Sequence, residues 1–227
     1  MAYQIPNCSK PQALCGSLKD DTTENKQTEK LKIKRWTYLL IGLLILSFGG
    51  LWTFKKVNFN TDFSVGQQID SLNRVYVYYN GGVDNVSGRN TTADGYNLGL
   101  KYQCVEFVKR YYYEHLKHKM PDSYGHAKDF FDNTLKDGQK SKKKDLTQYT
   151  NPSDTKPKVD DILIFDGTTF NKYGHVAIIS NVTENKIEII QQNPGPFSKS
   201  RETFALDNKD GKWEIKNKRI LGWLRKD

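Results

Sequence analysis

Gly99-Leu-Lys-Tyr-Gln-Cys-Val-Glu-Phe-Val-Lys-Arg-Tyr-Tyr-Tyr-Glu-His-Leu-Lys117 is where the chain passes from loop into its clearest helix. Val105, Val108 and Tyr112 recur at i, i+3 and i+7, with Phe107 and Tyr111 alongside. That spacing is the stripe of a helix facing a core. The helix is expected over Tyr102–Lys117, ended by Met120-Pro121. Downstream the period changes. Asp161–Phe165, His175–Ser180, Ile187–Gln191 and Ile220–Leu224 are short aliphatic runs between turn residues and read as strands, with Asn185-Lys186 as a hairpin turn. Between helix and strands, His126–Leu135 fits a second short helix, and the Lys-rich stretch Gly138–Lys158 a mobile loop. Helices followed by an antiparallel sheet is an α+β order.

Upstream, Trp36–Phe54 reads WTYLLIGLLILSFGGLWTF and carries no charge. That length suffices for one helical span of a hydrocarbon core ~30 Å thick. Trp36, Tyr38, Trp52 and Phe54 lie at its ends, where interfacial aromatics belong. Lys30, Lys32, Lys34 and Arg35 precede it, whereas Lys55 and Lys56 follow. The excess on the N-terminal side predicts a cytoplasmic tail and an exported C-terminal domain, periplasmic or extracellular, on a single-pass plasma-membrane anchor. A cleaved signal peptide is the alternative, with Ser47 and Gly49 as small residues near a cut. The apolar run continues through Leu51 and Trp52, however, and its leader is long, so an uncleaved anchor is preferred. The expected organisation is a disordered tail over 1–35, a transmembrane helix over 36–54, a linker over 55–73 and a catalytic domain over 74–227, with 81–99 a Gly/Asn-rich loop.

A 12% aromatic share argues for a folded domain. The net charge is +9, yet residues 57–227 hold only 26 Lys/Arg against 22 Asp/Glu. No basic stripe results, so no nucleic-acid partner is expected. Cys8 and Cys15 precede the apolar run and read as idle thiols. Cys104 is the one cysteine after it, which leaves no disulfide partner on its own side of a membrane. A buried structural thiol is the bland alternative for Cys104.

Its position favours chemistry. A helix N-terminus favours thiolate, the nucleophilic form, and its free N–H groups can hold an oxyanion. His175 opens an apolar strand directly after Gly174, on the loop edge of the sheet. His115, His118 and His126 read as exposed surface, and no metal or cofactor is expected. In Ile187-Glu-Ile-Ile-Gln-Gln-Asn193, alternation puts Gln191 and Asn193 on one face and Glu188, Ile190 and Gln192 on the other. If this strand pairs with 175–180, Gln191 can take the imidazole N–H and fix its tautomer.

Five blocks in order, Tyr-Gln-Cys-Val-Glu-Phe, Asp-Ile-Leu-Ile-Phe, Gly-His-Val-Ala-Ile-Ile, Gln-Gln-Asn and Ile-Leu-Gly-Trp, resemble the CHAP family of cysteine, histidine-dependent amidohydrolases and peptidases. Within it the likeness is to the amidase domain of bifunctional glutathionylspermidine synthetase/amidase. The resemblance covers most of residues 95–225 and implies a papain-like fold, with Cys104 as nucleophile and His175 as base. It also implies Gln191 as the orienting residue, and Gln103 and Asn193 as oxyanion or supporting residues. Where the family usually has Glu, this chain has Gln191. A neutral amide can accept the N–H but supplies no charge to an imidazolium. No ATP-binding segment accompanies the blocks, so ligase activity is not implied. The expected substrate is an amide of peptidoglycan, with a glutathionylspermidine-type amide second and a catalytically weak wall-binding module third.

Overall fold

The computed structural model describes residues 21–169 and 171–227. Cys8, Cys15 and the first part of the expected tail lie outside the described residues. The chain divides into two compact units, Met1–Leu51 and Trp52–Asp227.

Helix α1, Asp21–Lys56, includes the apolar run. Its segment Lys26–Thr53 is long and apolar enough to cross a membrane. Leu39, Leu44, Leu46 and Phe48 are exposed along it. Residues 21–35 were expected in a disordered tail and are instead helical. No Gly or Pro interrupts them, and their Lys, Gln, Glu and Leu favour continuation of a helix already nucleated by the apolar run.

The second unit opens with two small antiparallel ribbons. They are β1 (Gln68–Leu72) with β2 (Val75–Tyr78), and β3 (Arg89–Thr91) with β4 (Asn97–Leu100). Helix α2, Cys104–Glu114, follows. The main sheet comprises β5 (Gln139–Ser141), β6 (Leu146–Thr150), β7 (Ile162–Phe165), β8 (His175–Val182), β9 (Lys186–Ile190), β10 (Arg201–Lys209), β11 (Lys212–Ile215) and β12 (Ile220–Arg225). Its order is β11-β10-β9-β8-β7-β12-β6-β5, antiparallel throughout. All four residues of β7 are buried because both faces of the sheet are covered. Ile162, Ile164, Val176 and Ile178 pack with Phe107, Val108, Tyr111 and Tyr112 of α2. Leu163, Phe165, Ala177 and Ile179 pack on the other side with Ile187, Ile189, Phe204 and Trp223.

Four further expectations need correction. The loop 81–99 contains β3 and most of β4, which pair as a ribbon. The linker 55–73 contains β1, and the buried Asn60 side chain donates to the Pro196 carbonyl at 2.8 Å, which fastens it into the unit. The mobile loop 138–158 contains β5 and β6. Its lysines hid a short buried pattern, for Leu146 and Gln148 are fully enclosed, and the ammonium of Lys144 is held over the Phe130 ring by the Asp122 and Tyr124 carbonyls. The helix expected over 126–135 shrinks to a 3-10 turn, Ala127–Phe130. Asp129 caps the start of the turn through the His126 N–H, while past its end the Asp132 carboxylate binds the Thr134 N–H, which competes with helix continuation.

Entry into β8 depends on Gly174. Its φ is +75°, and a Cβ at that place would lie 2.5 Å from the Phe165 carbonyl oxygen. Gly174→Ala is therefore expected to cost about 1–3 kcal/mol of stability, read as a lowered urea midpoint, and to displace His175. An unchanged midpoint would contradict that close approach.

Candidate active site

Cys104 is the first residue of α2, and Gln103 stands at the N-cap without making a side-chain cap. The Gln103 amide instead donates to the backbone carbonyls of Val83 at 3.2 Å and Asn85 at 2.8 Å. The leading N–H groups of a helix have no intrahelical acceptor. Those of Cys104 and Val105 lie against the thiol, as does the N–H of Val176 on β8. The residue keeps some exposure, but its sulfur is enclosed. Burial pushes the thiol above its ordinary pKa, and the three N–H groups oppose that rise without cancelling it.

His175 begins β8, its backbone paired with Phe165 and its ring tilted against the Phe165 ring. Its Nε2 lies 2.9 Å from Oε1 of the buried Gln191. The amide oxygen accepts, so Nε2 carries the proton and Nδ1 the lone pair. Burial lowers the imidazole pKa to about 4, the bond to Gln191 works the other way, and the nearby Arg219 charge lowers it further. The sequence led us to expect a thiolate favoured by the helix end. The resting pair is instead a neutral thiol and a neutral imidazole, because enclosure outweighs the helix N–H groups at the sulfur and disfavours a charged ring at His175. Thiolate absorbance, taken as wild type minus Cys104→Ala, is expected to be near zero at pH 7. It should grow only above the ordinary thiol value of about 8.5. A large difference at pH 6 would show an ion pair.

Thiol and imidazole are linked only through β8: the Val176 N–H touches the sulfur, and His175 is the residue before it. Val176 faces α2 and the thiol, while alternation turns His175 toward Phe165. Among the described residues no thiol–imidazole hydrogen bond joins them; the ring's hydrogen bond goes to Gln191. Asn193 does not reach His175. Its amide donates to Gln103 Oε1 at 2.7 Å and to the Val83 carbonyl at 2.8 Å. Gln103 and Asn193 thus brace each other and the 83–85 loop, and both amide protons of Gln103 are committed there.

Sequence reasoning passed over Gln192. It is fully buried and donates to Glu106 Oε2 at 2.8 Å and to the Gln103 carbonyl at 3.0 Å, while its Oε1 accepts from the Tyr78 N–H at 2.8 Å. Glu106 in turn pairs with Arg110 at 2.6 Å and accepts from Asn90 at 2.7 Å. This network fixes the end of β9, with Gln191 and Asn193, against the start of α2. The signal available was a polar residue on the core face of a strand. A cleft of about 430 Å³ opens beside the imidazole, lined by His175, Gln191, Asn193, Val83, Glu202 and Arg219 among others.

The remaining histidines stand elsewhere. His115 Nε2 lies 3.0 Å from Asn73, and the His126 ring is tilted against Tyr173. His118, expected on the surface, is buried with Nε2 2.9 Å from the Lys144 carbonyl. The folding of Lys144 over Phe130 draws that histidine inward. Among the described residues no group of three or more His, Cys, Asp or Glu could hold a metal ion.

Comparison with known proteins gives the same residues a lineage. Two curated proteins of Crithidia fasciculata are similar. Trypanothione synthetase is 30% identical over 133 residues, covering 57% of this chain and 20% of its own. Glutathionylspermidine synthase is 29% identical over 139 residues, covering 56% and 19%. The chain thus spans about a fifth of the length of these relatives. Among solved structures, the crystal structure of Ly7917 matches 33% of this chain and 30% of that one at 21% identity, with a TM-score of 0.24. The family described as the CHAP domain matches residues 93–193, a span that begins before Cys104 and ends on Asn193. It is to the CHAP domain, over residues 93–193, that this chain is similar.

Proposed function

We propose that the chain is a membrane-anchored cysteine amidase or endopeptidase of papain-like design. The observation that carries this is the bond from His175 Nε2 to Gln191, which leaves the Nδ1 lone pair free on the residue before Val176, whose N–H touches the thiol at an uncapped helix start. In the reaction, His175 Nδ1 takes the Cys104 proton as sulfur attacks the amide carbonyl. The N–H groups of Cys104 and Val105 receive the oxyanion. The imidazolium then protonates the leaving amine, and the neutral ring activates the water that releases the acid. Gln191 holds the tautomer, while Gln103 and Asn193 hold the walls. The ring approaches the thiol in the substrate complex, as catalytic hydrogen bonds that are long at rest commonly tighten there.

Helix α1 is read as the anchor, with the basic excess before it retained in the cytoplasm and the second unit exported. An exported amidase faces the cell wall, so the substrate is taken to be a peptide amide of peptidoglycan. The test is clearing of purified sacculi by the detergent-solubilised chain, with Cys104→Ala as control. Equal clearing by both removes the proposal. A second reading, cleavage of a glutathione–polyamine amide, is supported by the names of the two Crithidia relatives. A reporter fused after Asp227 discriminates, because a cytoplasmic signal would favour that substrate.

A further inference from the structure

Behind Gln191 stands a carboxylate. The Gln191 Nε2 donates to Glu202 Oε2 at 3.4 Å and to the Lys199 carbonyl at 3.3 Å, while its Oε1 faces His175. A glutamine amide is nearly symmetric in shape, so its neighbours decide which end meets the ring. Glu202 and the Lys199 carbonyl only accept, so the NH2 end must turn to them and the oxygen to His175. The sheet builds this placement. Glu202 pairs with Ile189 across β10 and β9, which puts it on the Gln191 face. Arg201, next in sequence, points the other way and is held by Asp70 and Glu188, leaving the Glu202 charge unneutralised by it. Glu202, His175 and Gln191 line the same cleft.

We propose that Glu202 is a positioning residue for His175, acting through Gln191. It holds the amide in the orientation that puts the proton on Nε2, and it sets a negative charge two hydrogen bonds behind the ring. This rests on the reading that His175 accepts the thiol proton. The charged residues lining the cleft with the imidazole are Arg219 before β12 and Lys199, Arg201 and Glu202 around the start of β10, the Arg201 guanidinium being turned to Asp70 and Glu188. Lys128, from the 3-10 turn, packs at Gly174.

The test uses the full chain in detergent with Glu202→Gln, Glu202→Asp, Gln191→Glu and the double variant Gln191→Glu/Glu202→Gln. Two readouts are needed: the titration of the His175 ring by NMR, and the rate of Cys104 alkylation by iodoacetamide. Glu202→Gln keeps an acceptor and removes the charge. It should lower the His175 midpoint by about half a pH unit and slow alkylation roughly threefold to tenfold, with Glu202→Asp restoring part of both. In the Gln191→Glu background two carboxylates are set against each other, so removing Glu202 should leave the rate unchanged or raise it. An unmoved His175 midpoint in Glu202→Gln, or slowing of the same size in both backgrounds, overturns the proposal. Alkylation that is indifferent to His175→Ala would instead defeat the amidase reading, and the titration would still decide the role of Glu202.

Discussion

His175→Ala is expected to slow amide hydrolysis by about 10⁴-fold or more and to slow Cys104 alkylation at neutral pH. The size follows from the resting protonation state. Burial holds the thiol neutral, so the reaction needs a base to remove its proton, and the ring with Nδ1 free is the base at hand. The same lowered imidazole pKa sets the acid limit. Above about pH 4 the ring is neutral and able to accept, so kcat/KM should rise through that value and hold across neutral pH. The stability consequence has a definite sign. A histidine with its folded pKa near 4 and an ordinary unfolded value leaves the unfolded chain holding more protons between the two, so stability falls as pH drops through that window. Hydrolysis kinetics across pH 3–9, with circular dichroism on each variant, check both. His-independent alkylation would point to a wall-binding module with an inert thiol.

Glu106→Ala is the second large effect, and it acts on the fold. Arg110 is almost wholly buried, and its partner carboxylate is also the anchor for Gln192 and Asn90. Removing it leaves an uncompensated guanidinium in the interior, which costs about 3–5 kcal/mol. For a chain of this size that lowers Tm by roughly 6–20 °C. Calorimetry reads the shift, and a loss under about 1 kcal/mol would show the pair to be solvated. Glu106→Gln, which keeps the acceptor for Gln192, should be milder.

Helix α2 and strands β7, β8, β9 and β12 were legible because each carries its own periodicity and is bounded by turn residues. The pairing of Gln191 with His175 was legible for the same reason, since strand alternation fixed its face. What escaped were elements whose burial is supplied from far along the chain. β5 and β6 are covered by segments that follow or precede them by many residues, and the turn between them is a run of lysines, Lys142 to Lys144. Glu202 was invisible because its meaning lies in a register between β9 and β10 that no local pattern announces. The protonation state was misjudged for a related cause. A helix terminus can be read from residues, but the enclosure of its sulfur against the core cannot.

The bare start of α2 has a consequence for anyone who tries to harden this protein. Gln103 spends its amide on the 83–85 loop, and the turn it leaves unsatisfied is the one that would cradle a substrate oxygen. Serine or aspartate there would close that turn on itself and firm the helix by about 1 kcal/mol. Either replacement would also forfeit the bonds of the Gln103 amide to Val83, Asn85 and Asn193, so the turn stays open for as long as that brace is kept.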